Sequence, residues 1–199
     1  MLKRLIVGMI ILVGAVTLAV ISYSFFAERS DLSRFTLSHG AGFFVEDPNE
    51  LQKEVAPRLG YLAPEISLPD LKNQIVRLSD LRGKPVLLNF WAAWCPPCRQ
   101  ELPDLQRFHE QFGTKIALIG VNWGEPAQTV RSFLERYGVT YTNLLDERGT
   151  AFVTYRLTGT PTTFFIDPEG HIRGVWLGPL KGEEIAQNFQ RLGLLHESE

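Results

Sequence analysis

The sequence predicts an α/β domain on a mixed sheet, behind an apolar N-terminal segment. Three observations carry this expectation. Residues 86–91 and 116–122 are nearly unbroken apolar runs of strand length, as strands covered on both faces are. Each is followed by apolar residues at helical spacing. The chain then closes with two short strand-like runs around Asp167-Pro168-Glu169-Gly170, a hairpin turn signal, and a last amphipathic helix. Strand, helix, strand, helix, hairpin and helix require parallel and antiparallel pairs in one sheet.

Lys3 and Arg4 precede an apolar run over 5–26 whose only polar members are Thr17, Ser22, Tyr23 and Ser24. About 22 residues at 1.5 Å each give roughly 33 Å, enough to cross a bilayer core. The run exceeds the roughly 7–15 residues of a secretory signal's apolar core, and Phe25 stands where cleavage requires a small residue. Residues 1–27 therefore read as a cytoplasmic stub and an uncleaved single-pass anchor in the cell membrane. The basic residues keep the N-terminus cytoplasmic, so the remainder is expected outside, in a periplasm or on the outer surface. Residues 28–59 mix charges and glycines with isolated clusters such as Phe43-Phe44-Val45, and show no sustained period. They read as an extracytoplasmic spacer, with a short helix expected over 49–55.

The domain is expected over 60–199. Residues 66–68 and 75–78 alternate around a turn and predict a hairpin. Leu102, Leu105, Phe108 and Phe112 predict a helix over 101–112, closed by Gly113 and kinked by Pro103. Pro126 opens a helix whose Val130, Phe133, Leu134 and Tyr137 sit at i, i+3, i+4 and i+7, ended by Gly138. A short strand over 141–145 and a short helix over 150–157 follow. Residues 162–166 and 172–177 form the closing hairpin, and the last helix covers 183–195 with Ile185, Phe189 and Leu192 inward.

Net charge is −2 with no long basic run, which argues against a nucleic-acid partner. The chain has two cysteines, Cys95 and Cys98, in Trp94-Cys95-Pro96-Pro97-Cys98. So close a pair is a local device and not a disulfide framework. A permanent bridge would stabilise little, because so small a ring barely restricts the unfolded chain. A zinc site lacks a second ligand pair, His39, His109, His171 and His196 being scattered. Copper(I) would lack a soft third ligand, since the methionines are Met1 and Met9. No cofactor beyond the redox-active pair is expected.

Cys95 should begin a helix, where free N–H groups and the macrodipole favour a thiolate and lower its pKa from about 8.5 toward roughly 3.5–7.5. A thiolate attacks disulfides and a thiol does not. Pro96 and Pro97 suit the first helical turn and stiffen the loop. Cys95 is thus the expected nucleophile and Cys98 the more buried resolving thiol. Trp94 is expected to flank Cys95 and shape the contact surface.

Residues 89–103, Asn-Phe-Trp-Ala-Ala-Trp-Cys-Pro-Pro-Cys-Arg-Gln-Glu-Leu-Pro, and 159–167, Gly-Thr-Pro-Thr-Thr-Phe-Phe-Ile-Asp, resemble the membrane-anchored thioredoxin-like proteins of the TlpA/ResA/CcmG group. The likeness runs from about residue 60 to about 192. It implies a thioredoxin fold: a central mixed sheet flanked by helices, with an N-terminal β-hairpin extension. It implies a cis Thr160–Pro161 peptide facing the cysteines, with the Thr160 backbone free to pair with a substrate strand. Thioredoxin itself carries a buried Asp where this chain has Asn89, which cannot accept a proton. Glu101, three residues after Cys98 and on the same helical face, becomes the candidate base, or else a surface residue favoured by the helix dipole. The resemblance implies protein disulfide substrates (an apocytochrome c Cys-x-x-Cys-His site or a copper-site assembly protein) and a membrane electron donor of the thiol-reducing type. A disulfide-forming oxidant and a copper(I)-binding chaperone using both thiolates are the alternatives.

Overall fold

The computed structural model describes residues 36–37 and 42–195. The anchor expected over 1–27 lies outside the described residues. Among those described, no helix is long and apolar enough to cross a membrane.

The strands are β1 (Thr36–Leu37), β2 (Gly42–Phe44), β3 (Ser67–Pro69), β4 (Ile75–Arg77), β5 (Val86–Trp91), β6 (Ala117–Trp123), β7 (Thr142–Asp146), β8 (Thr162–Ile166) and β9 (Ile172–Leu177). The helices are α1 (Pro96–Phe112), α2 (Ala127–Tyr137), α3 (Thr150–Thr154) and α4 (Gly182–Arg191). One sheet of seven strands runs in the order β1-β2-β9-β8-β5-β6-β7, and β3 and β4 pair separately as the expected hairpin. The β5, β6 and β7 strands are parallel, whereas β8 is antiparallel to β5 and to β9. This is the thioredoxin arrangement, and the mixed sheet has the predicted composition.

Alternation along β5 sorts its side chains between two cores. Leu87 joins Leu102, Leu105 and Phe108 of α1 and Ile185 and Phe189 of α4. Leu88 and Phe90 join Ile119, Val121, Phe164 and Tyr155 on the opposite face. The same alternation puts Asn89 and Trp91 on the face of Leu87, toward the helix that carries the cysteines.

The start of α1 agrees with expectation, whereas α3 ends at Thr154 and two further helical segments also differ. The α1 helix begins at Pro96 with Cys95 as its N-cap, as the two prolines predict. It also continues through Pro103, which is exposed. The α4 helix ends at Arg191, just before Gly193 adopts φ +66°. The helix expected over 49–55 is a single 3-10 turn, Pro48–Glu50.

The spacer expected over 28–59 is corrected for residues 42–59, which belong to the domain. Phe44 sits fully buried against Phe165 at 5.5 Å, and β2 pairs antiparallel with β9. The buried Arg173 donates to the carbonyls of Val45 at 2.9 Å and Glu46 at 2.7 Å. Val55 bridges to Leu62. A three-residue strand shows no sequence period, and its partner lies some 130 positions away, so local pattern does not reveal it.

Candidate active site

The loop 92–95 leaves the end of β5 and delivers Cys95 to the N-cap of α1. Cys95 has extended backbone, φ −84° and ψ 111°, so its side chain folds back over the helix start. Pro96 and Pro97 fill the first two helical positions and bring no N–H. The first donor of the helix end is therefore the Cys98 N–H, which donates to Cys95 Sγ at 3.2 Å. That bond and the helix dipole both stabilise negative charge on this sulfur. Cys95 and Cys98 are joined as a disulfide with their Cα atoms 5.3 Å apart. Cys95 is 2% exposed and Cys98 fully buried, so an incoming group meets Cys95 first.

The opposite wall is the loop before β8. The Thr160–Pro161 peptide is cis, and the Thr160 carbonyl oxygen lies 3.5 Å from Cys95 Sγ. Pro161 is buried and Thr160 half-buried. Thr160 of the resemblance-implied pair is thus brought against the Cys95 sulfur, although 65 residues separate the two.

Glu101 is not a surface residue. It is 2% exposed, one helical turn beyond Cys98. Its Oε1 accepts from Asn89 Nδ2 at 2.9 Å and its Oε2 from the Leu180 N–H at 3.0 Å. Burial pushes its pKa from the ordinary 4.5 up to about 8, against the opposing pull of those two donors. Asn89 also donates to Thr163 Oγ1 at 2.9 Å. The position expected to hold a buried acid therefore holds a donor that anchors a different acid. The neighbouring Tyr141, also buried, has its hydroxyl pKa raised by burial and by the Glu101 charge.

Two site residues escaped the sequence reading. Glu125, in the loop after β6, accepts from the Ala93 N–H and from Asn122 Nδ2, both at 2.7 Å. It ties that loop to the backbone just before Cys95. Trp123, at the end of β6, meets Trp94 edge-on with ring centroids 5.7 Å apart. Position offered the available signal: β5 and β6 are parallel neighbours, so the loops at their C-terminal ends lie side by side. Among the expected contact residues, Trp94 is 58% exposed, Pro96 exposed and Pro97 half-buried. No group of three or more His, Cys, Asp or Glu side chains that could hold a metal occurs among the described residues.

The family model described as AhpC/TSA matches residues 59–175, more than half of the chain. The chain belongs to the AhpC/TSA family. Within it, the chain is 34% identical over 145 residues to the thiol-disulfide oxidoreductase ResA of Geobacillus kaustophilus, covering 72% of this chain and 83% of that one. It is 38% identical over 147 residues to the thiol:disulfide interchange protein DsbE of Allochromatium vinosum, covering 72% and 78%. Among solved structures, a thiol:disulfide interchange protein of Chlorobium tepidum superposes with a TM-score of 0.59 at 29% identity, covering 66% of this chain and 96% of that one. StoA of Bacillus subtilis superposes with a TM-score of 0.55 at 26% identity, covering 61% and 93%. With its paired cysteines and these relatives, this AhpC/TSA-family member is a thiol–disulfide oxidoreductase.

Proposed function

We propose that this AhpC/TSA-family enzyme is a membrane-tethered reductase of partner-protein disulfides, acting outside the cytoplasm. The Cys95 thiolate attacks one sulfur of the partner's disulfide, and the other partner sulfur leaves as a thiolate. The resulting mixed disulfide is resolved when Cys98 loses its proton and attacks Cys95 Sγ. The partner's second thiol departs and the enzyme is left with the Cys95–Cys98 disulfide. A membrane dithiol donor then returns two electrons. Glu101 is the proton acceptor and donor for Cys98, with a pKa of about 8 that lets it exchange a proton near neutral pH. The Thr160 backbone aligns the partner segment beside Cys95. The observation that carries this reading is the Cys98 N–H on Cys95 Sγ, which singles out one sulfur for the charge.

The relatives named ResA and DsbE support exchange with protein substrates. The likeness to the TlpA/ResA/CcmG group supports an apocytochrome c Cys-x-x-Cys-His site or a copper-site assembly protein as partner. The apolar run over 5–26 supports the membrane tether, with the domain facing the periplasm or outer surface. Full-length Cys95→Ser is expected to lose insulin-disulfide reduction, and Cys98→Ser to accumulate a mixed disulfide with its partner in cells. Reduction that survives Cys95→Ser would overturn the assignment of the nucleophile. A potential near −120 mV in glutathione buffers, the strongly oxidising extreme of such pairs, would overturn the reductase direction.

A further inference from the structure

Beside the cysteines, on the side away from Pro161, lies a strip of aromatic rings that the exchange chemistry does not use. Trp94 meets Trp123 edge-on at 5.7 Å, and Trp123 stacks on Phe152 at 4.0 Å with only 9° between the ring planes. Trp94 is 58% exposed, and Val153, next to Phe152, is 74% exposed. Trp123 and Phe152 are half-buried, so the strip offers an exposed ring at Trp94 backed by partly open ones, and apolar patches of this kind mark contact surfaces.

The strip is held in place from beneath. Asp146, 1% exposed, accepts from the Thr150 N–H at 2.7 Å, Thr150 Oγ1 at 3.0 Å and the Phe152 N–H at 3.0 Å. Those bonds fix the first turn of α3 and so the base of Phe152. Gly149, at φ +70°, passes under the Trp123 indole, where an added Cβ would come within 3.0 Å of Nε1. On the other side, Glu125 clamps the Trp123 loop to Ala93, two residues before Cys95. The shelf and the nucleophile are therefore positioned as one unit.

We infer that the Trp94–Trp123–Phe152 shelf is a specificity site that takes an apolar or aromatic side chain of the partner polypeptide, two residues from its reacting cysteine. This rests on the thiol–disulfide exchange reading. Continuity with Cys95 identifies the occupant, since a chain that presents a cysteine to Cys95 must cross the adjoining rings. In an extended segment, side chains two apart share a face at about 6.6 Å, so the residue two from the reacting cysteine points to the same side as that cysteine. Ring against ring then adds to apolar burial in a contact that Trp typically dominates.

The test uses the full-length, pre-reduced protein and two synthetic peptides with a single cysteine carried as a mixed disulfide with thionitrobenzoate. One has Phe two residues to either side of the cysteine, and the other has Ser there. Cys95 attacks the peptide sulfur, and thionitrobenzoate, the better leaving group, departs and is read by absorbance. Cys98 then displaces the peptide thiol. The wild type is expected to favour the Phe peptide by about tenfold in second-order rate constant. Trp123→Leu and, separately, Phe152→Leu should bring that ratio near one, and Trp123→Phe should restore most of it. A ratio that persists in both Leu variants, or a wild type that does not discriminate, would overturn the shelf. A wild-type dimer in sedimentation that both Leu variants abolish would assign the rings to a second copy and likewise overturn it. The symmetric dinitrobenzoate disulfide, which has the same leaving group and no peptide, checks the underlying reading. Failure of the wild type to reduce it would sink exchange itself, independently of the shelf.

Discussion

Glu101 carries a carboxyl group into a place where its charge is poorly solvated, and this sets a pH dependence of stability. Its pKa is about 8 in the folded chain and near 4.5 when unfolded. Between those values the folded state holds a proton that the unfolded state has released. Stability is thus full below about pH 4.5 and falls as pH rises toward 8, at most by about 1.4 kcal/mol per unit. Glu101→Gln should remove that slope, as read by urea unfolding of the oxidised protein between pH 5 and 8. The same variant should remove the inflection near pH 8 from the rate at which the mixed disulfide resolves. An unchanged rate profile would leave Glu101 a buried structural acid. Asn89 shows how a residue acts through its partner: its amide cannot take a proton, yet it holds the Glu101 carboxyl beneath the cysteine helix.

At the scale of elements, the site depends on how β5 and β6 are locked. The Trp91 indole donates to Asn143 Oδ1 at 2.9 Å across the intervening Gly120. A Cβ at position 120 would collide with that Asn143 oxygen. Gly120→Ala should therefore break the bond and overpack the sheet, lowering stability by about 2–4 kcal/mol in urea unfolding. Because Trp91 and the loop 92–95 leave the same strand, this variant should also slow exchange. The start of α1 depends on a different device. With Pro96 and Pro97 lacking N–H groups, no helix donor ahead of Cys98 competes for the Cys95 sulfur. Replacing both with Ala would supply new donors and is expected to shift the reduction potential, measured in glutathione buffers, while leaving the fold intact.

For the whole molecule, the boundary of the folding unit follows from the sheet and not from the family match. The AhpC/TSA match begins at residue 59, but β2 completes the sheet beyond β9 and Phe44 fills the core on the α1 and α4 side. A fragment beginning at residue 60 should lose more than about 3 kcal/mol of stability relative to one beginning at residue 37, the cost of removing a buried Phe alone. Thermal melts of the two fragments check this, and equal stability would return residues 42–59 to the role of a tether. The exchange chemistry should be confined to the longer fragment at physiological temperature.

Local pattern determined most of the architecture. Apolar runs of strand length, helical spacing and the Asp167–Gly170 turn were legible because each is written within a dozen consecutive residues. The two cysteines and their prolines were legible for the same reason, since the chemistry of a helix start needs only neighbours in sequence. The tertiary structure decided everything that joins distant residues. It added β2 to the sheet, set Thr160 beside Cys95, buried Glu101 under Asn89 and Leu180, and lined up Trp94, Trp123 and Phe152. The physical reason is common to all of these. Burial, desolvation and ring stacking depend on what the sheet brings together, and no periodicity along the chain records which strands become neighbours.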